Sequence, residues 1–429
     1  MTQWPEMTLG EICAEGGGWI RTGPFGSQLH QSDYVDDPSG IPVLMPKDMA
    51  GGRIDLSTIA RIDDETASRL SQHLLAEGDV ALSRRGDVGR SVWIASEDLP
   101  VFCGTGSMRV HPGTPSSVRP DYLRYFFRSR LAIDYLEGQA VGATMPNLNA
   151  GIVTGMPVPI LPLLLQEFAA HTLSTLDDLI ESNRRQVEVL EQIVQATYRE
   201  WFLHFRYPGH ETAPFVDSPL GPTPDGWELL PASDALLVNP RVTLDKSVEH
   251  PFITMSDLQE RSMVCFPSDM KLGNSGAKFK NGDTLFARIT PCLENGKTGF
   301  VQCLDHEQVG RGSTEFIVLR GRVVGPSFTY CLARSEQFRR HAIQSMSGAS
   351  GRQRVRNECF DSYNLAVPPH DVAESFEEVA IPVFETIYSL TLQASRLAVV
   401  HDLLLPKLVT GQIDLSSLAV DVLVQEAVA

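Results

Sequence analysis

Arginines that lie beside glycines are the residues of this sequence best suited to chemistry, and the chemistry is binding. Arg84, Arg85 and Arg90 fall in a loop that follows a predicted strand. A guanidinium group can donate two hydrogen bonds to guanine O6 and N7, or it can grip a phosphate. Gly86 and Gly89 in the same loop allow a close backbone approach. These residues are candidates for contact with DNA, and solvated surface arginines are the alternative.

A second set of basic residues strengthens this interpretation. Arg288 and Lys297 occupy the corresponding loop in the second half of the chain. Arg352, Arg354 and Arg356 follow a glycine-containing stretch and would share one face of an extended segment. We expect all five side chains to contact DNA.

Amide side chains are further candidates because they can pair with the donor and acceptor on an adenine edge. Gln28, Asn147 and Asn149 are the residues concerned. For the two asparagines, turn formation is an equally good explanation. The glycine-containing segments 104–107 and 310–313 are expected to shape their domains rather than to contact bases.

Catalytic signatures are incomplete. Gly296-Lys297-Thr298 resembles the end of a phosphate-binding loop, but proline stands where that loop requires its first glycine. The segment 239–242 lacks the second proline and the aromatic residue with which a DNA methyltransferase stacks a flipped base. His111 and His306 have no glutamate or cysteine at metal-ligand spacing. We therefore expect no catalytic residue, no bound metal and no cofactor on this chain.

The segments that must position these residues occur twice. The matching pairs are 75–84 with 279–288, 104–107 with 310–313, 128–129 with 334–335, and 142–144 with 348–350. A repeat this long indicates two copies of a whole domain. Short apolar runs at 41–45, 79–83 and 315–319 predict strands, and apolar spacing over 122–136 and 327–346 predicts helix.

Two long segments show the strongest periodicity. Apolar residues recur at alternating three- and four-residue steps over roughly four heptads in each, which is typical of a coiled-coil seam. Neither seam can be buried alone, so we expect the two helices to pack together. The seam residues are Leu176, Ile180, Val187, Leu190, Val194, Ile387, Leu390, Leu397 and Leu404. Asn183 also falls in the seam, where it fixes the register or marks a solvated boundary.

Composition narrows the class of protein. The 429 residues carry a net charge of −17, yet 84–130, 271–297 and 334–356 are locally basic. Overall charge therefore neither supports nor excludes DNA binding. The seven cysteines form no Cys-x-x-Cys pair, and no signal sequence or membrane span is recognisable. We expect a cytoplasmic protein without disulfides.

In these features the chain resembles the specificity subunits of Type I restriction–modification systems over nearly its full length. The motifs that carry the resemblance are GPFGSQL at 23–29, SRRGDVGR at 83–90, GTGSMR at 104–109, GATMPNLN at 142–149, LDDLIESNR at 176–184, WF at 201–202, ARITPCLENGK at 287–297, GSTE at 312–315, GASGRQRV at 348–355 and LLLPKLVTG at 403–411. His401 departs from the basic residue that is more common in that family.

The resemblance implies an α+β fold with two similar mixed α/β target-recognition domains. They would be joined by two long helices that form an antiparallel coiled coil in a pseudo-two-fold arrangement. The expected boundaries are 1–162 and 207–368 for the two domains, 163–206 and 369–412 for the two helices, and 413–429 for a tail.

The resemblance also implies a function. Each domain would read one half of a bipartite site in double-stranded DNA. Two methyltransferase subunits would bind S-adenosylmethionine, and motor–nuclease subunits would use ATP and Mg²⁺. A single-chain restriction enzyme or methyltransferase is the main alternative, and a coiled-coil assembly protein without DNA contact is another.

Overall fold

The computed structural model of the chain describes residues 4–142, 145–349 and 351–413. It divides into two compact units, which are treated separately below. Unit 1 is Met1–Leu179 with Leu397–Ala429, and unit 2 is Ile180–Arg396. The repeated motifs at 142–144 and 348–350, and the predicted tail, lie partly outside the described residues. The predicted domain boundaries set each long helix apart and remain predictions.

Unit 1 contains short strands and helices. The strands are β1 (Glu6–Thr8), β2 (Gly17–Thr22), β3 (Tyr34–Val35), β4 (Ile41–Leu44), β5 (Met49–Ala50), β6 (Arg53–Ile54), β7 (Arg61–Ile62), β8 (Val80–Ser83), β9 (Ser91–Trp93), β10 (Phe102–Cys103), β11 (Ser107–Gly113) and β12 (Pro157–Pro159). The helices are α1 (Leu9–Gly16), α2 (Asp64–Arg69), α3 (Pro120–Arg128), α4 (Arg130–Gln139), α5 (Ala150–Thr154) and the first half of α6 (Leu163–Tyr198). The second half of α6 belongs to unit 2, where a five-residue π-helix (Arg199–Leu203) follows it.

Unit 2 has a similar order of elements. Its strands are β13 (Phe215–Val216), β14 (Thr223–Pro224), β15 (Glu228–Pro231), β16 (Leu236–Val238), β17 (Glu249–Ile253), β18 (Asp269–Leu272), β19 (Ala277–Phe279), β20 (Thr284–Ala287), β21 (Thr298–Phe300), β22 (Gly310–Gly312), β23 (Phe316–Gly321) and β24 (Asn364–Val367). Its helices are α7 (Ala232–Ala235), α8 (Pro326–Arg334), α9 (Glu336–Gln344) and most of α10 (His370–Val409).

One antiparallel sheet is duplicated between the units. Its order is β2-β11-β8-β9 in unit 1 and β16-β23-β20-β21 in unit 2. Val80 pairs with Val110 in the first sheet, and Thr284 pairs with Leu319 in the second. The central strands β8 and β20 are buried throughout, because helices cover one face of each and residues from other strands cover the opposite face. The predicted strands at 41–45, 79–83 and 315–319 are confirmed.

A buried aspartate precedes each central strand. Asp79 and Asp283 are fully buried, and each accepts a hydrogen bond from the backbone amide three residues before it. Asp79 pairs with Arg109 at 2.5 Å, and Asp283 pairs with Arg320 at 2.6 Å. A buried carboxylate requires such partners. The repeated Gly-Asp dipeptide therefore starts the strand that leads to the basic loop.

The helical region after each sheet differs from its prediction. The segments 122–136 and 327–346 are each two helices, since the chain turns at Ser129 and at Ser335. Each serine adopts an extended conformation and its side chain caps the second helix, accepting from the amide of Ala132 or Phe338 at 3.4 Å. The repeated Arg-Ser dipeptide is thus a helix break.

The long helices α6 and α10 begin directly after Pro162 and Pro369, and they run antiparallel inside each unit. In unit 1, Leu173 shares a core with Leu405 and Leu408, while Asp177 lies 3.6 Å from His401. The numbering therefore rises along one helix as it falls along the other.

Unit 2 has the same direction of packing. Asn183 donates a hydrogen bond to Gln393 at 3.2 Å, and the ring of Trp201 lies 5.8 Å from that of Phe376. The pairing of the two helices that the heptads predicted, and the antiparallel direction that the family resemblance implied, are confirmed. Asn183 is buried, which favours its role in fixing the register over a solvated boundary position.

The seam residues differ in how deeply they are covered. Ile180, Val194 and Ile387 are buried. The half-buried members are Leu176, Val187, Leu190, Leu390, Leu397 and Leu404. The two helices thus place every one of these side chains at least partly away from water.

The cysteines are all free thiols.

Among the described residues, no helix, including α6 and α10, is both long enough and apolar enough to cross a bilayer.

Candidate nucleic-acid interface

Arg84 and Arg288 occupy the same place in the two units, one residue beyond the central strand. Arg84 donates from Nε to the carbonyl of Leu148 at 3.2 Å, and Arg288 donates from Nη2 to the carbonyl of Val355 at 2.8 Å. The backbone amides of Leu148 and Val355 in turn donate to the carbonyls of the two arginines, each at 2.9 Å. Both guanidinium groups are therefore held against a neighbouring loop.

The surroundings of Arg84 are largely closed. Its side chain is only 9% exposed and its guanidinium carbon lies 5.5 Å from the centre of the Phe25 ring. Burial, followed by the charge of Arg85, lowers the pKa of Arg84. Phe25 itself is 53% exposed, so an aromatic face covers the arginine and faces solvent beside it.

Gln28 stabilises the loop that carries Phe25. Its Oε1 accepts a hydrogen bond from the Phe25 amide at 3.0 Å. The oxygen keeps a second lone pair, so this bond leaves Gln28 able to offer a donor and an acceptor to adenine. The geometry therefore assigns the side chain a loop-forming contact and does not test base reading.

The other two arginines of the first loop differ. Arg85 is exposed, and its backbone bridges to Asn147. Arg90 forms an ion pair with Asp87 at 2.6 Å and donates from Nη1 to the carbonyl of Met49 at 3.2 Å. Arg85 is thus available to a ligand, whereas Arg90 is tied to its own unit.

The two candidate asparagines, Asn147 and Asn149, also differ in their contacts. The backbone of Asn147 pairs in both directions with Val141, and its buried Oδ1 has no hydrogen-bond partner. Asn149 caps α5, since its Oδ1 accepts from the Ile152 amide at 3.0 Å. The structure supports the turn-forming alternative for Asn149, and it leaves Asn147 with an unused acceptor next to the Arg85 loop.

In unit 2, Arg354 takes the place that Asn147 has in unit 1, and it is paired. Its guanidinium grips both carboxylate oxygens of Glu315, at 2.7 and 2.8 Å. The hydrogen bonds from Arg354, ahead of its charge and that of Arg288, lower the pKa of Glu315. Glu315 therefore interacts with two of the residues predicted to contact DNA, Arg354 and Arg288.

The remaining basic candidates are spread over the same unit. Lys297 donates from Nζ to the carbonyl of Met255 at 3.0 Å. Arg356 donates from Nε to the hydroxyl of Ser347 at 2.9 Å. Arg352 is exposed, and within the described ranges its side chain has no hydrogen bond or ion pair.

Three further cations near Arg288 were missed by the sequence analysis. Arg241, Lys246 and Lys278 line a cleft of about 650 Å³ together with Arg288. The locally basic segment 271–297 was a signal for Lys278. No pattern marked Arg241 and Lys246, because their loop follows a different strand.

Comparison with known proteins supports the resemblance found in the sequence. Residues 1–192 match the family model described as the Type I restriction modification DNA specificity domain. The chain is also 25% identical to the Type I restriction enzyme MjaIX specificity subunit of Methanocaldococcus jannaschii, over 88% of each chain. The resemblance to the Type I specificity subunits is confirmed. The matched residues include β1–β12, Arg84 and Phe25, so the first candidate loop lies in the segment that matches this family model.

Other specificity subunits extend the similarity. The Type I restriction enzyme HindI specificity subunit of Haemophilus influenzae is 20% identical, with 96% of this chain and all of the relative covered. The crystal structure of the Type I S subunit from M. genitalium has a TM-score of 0.59 at 14% identity, covering 95% of this chain and 96% of that one. This structural likeness confirms the fold class expected for a specificity subunit.

Proposed function

We propose that the chain recognises a bipartite sequence in double-stranded DNA, with one half-site read by each unit. The observation that carries the proposal is the equivalent placement of Arg84 and Arg288. Each follows the central strand of a duplicated sheet, and each is bonded to the loop at Leu148 or Val355. Arginine is the side chain best suited to guanine, and rigid placement favours selective contact.

Base contacts supply specificity, whereas phosphate contacts set position. Arg84 and Arg288 are our candidates for base contacts because their guanidinium groups are fixed. Arg85 and Arg352 are exposed and suit phosphate. Arg90, Lys297, Arg354 and Arg356 are engaged within the protein, and in our proposal they either exchange partners on binding or hold the loops in place.

The proposed role is recognition without catalysis. In this proposal two methyltransferase subunits bind S-adenosylmethionine, and motor–nuclease subunits use ATP and Mg²⁺. The names of the relatives as Type I restriction enzyme specificity subunits support a place in such a complex. We further propose that α6 and α10 scaffold these partners and set the number of base pairs left unread between the half-sites.

A domain exchange tests the bipartite proposal. Residues 1–160 would be replaced with those of a homologous specificity subunit, and methylated sequences would be mapped in cells with both parental complexes as controls. We expect a split motif in which only one half changes. A continuous motif, or a change in both halves, would contradict the proposal. Methylation of DNA by the purified chain alone would instead support the single-chain methyltransferase.

A further inference from the structure

The cleft beside Arg288 in unit 2 is positively charged in an acidic protein. It lies between the loop that follows β16, strand β19 and the start of the Arg288 loop. Its lining includes Arg241, Lys246, Lys278 and Arg288, and no aspartate or glutamate. The whole chain carries a net charge of −17, so this local excess of positive charge selects for an anion.

Three of these cations have no partner among the residues that the structure describes. Arg241 and Lys246 are exposed and Lys278 is half-buried. Over the described ranges, their side chains form no hydrogen bond and no ion pair. Lys271 on the neighbouring strand β18 shows the contrast, since it lies 3.6 Å from Asp269 and over the ring of Phe252. Within the described ranges, no ion pair therefore neutralises these three positive charges in the cleft.

Hydrogen-bond donors extend the cleft. A second cleft of about 290 Å³ shares Gly276 and Thr314 with the first, and it adds the hydroxyl-bearing residues Ser275 and Ser313. Thr254 also lines it, but its hydroxyl donates to Asp257 at 2.8 Å. Lysine and arginine with flanking hydroxyl groups are the side chains that proteins use for successive phosphates along a DNA strand. A chain of phosphodiesters fits this arrangement better than a single small anion does.

Arg288 links this cleft to sequence reading. It lines the cleft, and its bond to Val355 fixes its guanidinium. A strand bound through its phosphates would lie directly beside this arginine. We propose that Arg241, Lys246 and Lys278 bind the phosphodiester backbone of duplex DNA and thereby position the unit 2 half-site against Arg288. This inference rests on the proposed function and adds positioning residues to it.

The salt dependence of DNA binding tests the assignment. The variant Arg241→Gln, Lys246→Gln, Lys278→Gln would be compared with Lys280→Gln, Arg322→Gln, Arg340→Gln, which removes the same charge outside both clefts. The full-length chain would be titrated with a duplex carrying the mapped site and with a scrambled duplex. Each lost phosphate contact lowers the slope of log affinity against log salt by ~0.9.

We expect the slope of the cleft variant to fall by about 2 to 3. Affinity for both duplexes should fall by the same factor, so that the preference for the mapped site is kept. The control should change the slope by less than about 1. Lys246→Gln alone, in an exposed loop, should lower it by about 1. Thermal unfolding would verify that the variants are folded.

Three results would overturn the assignment. The first is a cleft variant with the same slope and affinity as the control. The second is a selective loss of affinity for the mapped site, which would make these residues base readers. The third is tighter binding of RNA of equal length than of the duplex. A wild-type chain that prefers no duplex would contradict the proposed function itself, whereas a preference with an unchanged slope would contradict the cleft alone.

Discussion

Units 1 and 2 place the same arginine after the same strand, but they surround it with opposite chemistry. In unit 1, Phe25 covers Arg84 with an aromatic ring. In unit 2, the residue at the matching position after the first sheet strand is Arg241, which lines a basic cleft with Arg288. The duplicated fold therefore places the guanidinium group at the same position in both units. The loop after the first sheet strand determines whether an aromatic or a basic side chain lies beside it.

The packing of each long helix against the preceding helix pair shows a similar contrast. Asp177 and Phe384 lie equally far from the starts of α6 and α10. Asp177 is bonded to Arg128 at 2.6 Å and lies 3.5 Å from Arg124. The ring of Phe384 lies 5.5 Å from that of Tyr330 in α8, and 4.9 Å from that of Phe300 in β21. The contact of α6 at Asp177 thus depends on charge, whereas the contact of α10 at Phe384 depends on apolar packing.

The largest expected effect on stability comes from removing the ion pairs of Asp177. Asp177→Ala should lower the free energy of unfolding by ~3–5 kcal/mol, because Arg128 and Arg124 lose their carboxylate in a largely buried setting. The neighbouring Asp178 is exposed, so Asp178→Ala is the matched control and should change stability by ~0.5 kcal/mol or less. Chemical denaturation measures both. Equal effects of the two substitutions would remove the special role of Asp177.

The contribution of Asp177 to stability should also depend on pH. Burial raises the pKa of Asp177, but the hydrogen bond and charge of Arg128, with the charges of His401 and Arg124, bring it below the ordinary value. Its stabilising contribution is therefore present above the unfolded-state pKa and is lost as pH falls through the folded-state value. The stability difference between wild type and Asp177→Ala should shrink below about pH 4, whereas that for Phe384→Ala should not.

Intermediate effects are expected at the paired arginines. Arg84→Ala should relax recognition of one half-site, and Arg288→Ala that of the other, each by ~1–3 kcal/mol if the residue reads a base. Competition binding with duplexes changed in either half measures this. A uniform loss over all sequences, with a shallower salt slope, would show phosphate contact instead. No change would place that arginine outside the interface.

The smallest effect tests the comparison directly. Phe25→Arg gives unit 1 the residue that unit 2 has at Arg241, so the salt slope of DNA binding should steepen by ~0.9. Phe25→Leu keeps an apolar residue and serves as the control. If the two variants have the same slope, the loop that carries Phe25 does not approach the phosphates.

Much of the fold could be predicted because its signals are local. Short apolar runs indicated the strands around 79–83 and 315–319, and heptads indicated α6 and α10. The repeat predicted that Arg84 and Arg288 would occupy equivalent positions. The break at Ser129 was missed, because apolar spacing continues through a capping serine even though the helix does not.

The partners of the candidate side chains were not predictable. Glu315 grips Arg354, which is 39 residues away in the sequence. Lys278 lies in β19 and Arg241 in the loop after β16, yet both line one cleft. Neither spacing nor composition specifies which distant groups will meet within a few ångströms.

The sequence by itself determined the duplication and the positions of the basic loops, through its internal repeat, and the pairing of two long helices, through their heptads. The antiparallel direction of the helices was implied by the family resemblance. Only the tertiary structure decided which cations remain free. Hydrogen bonds and ion pairs act over a few ångströms, and the packing of distant segments sets those distances.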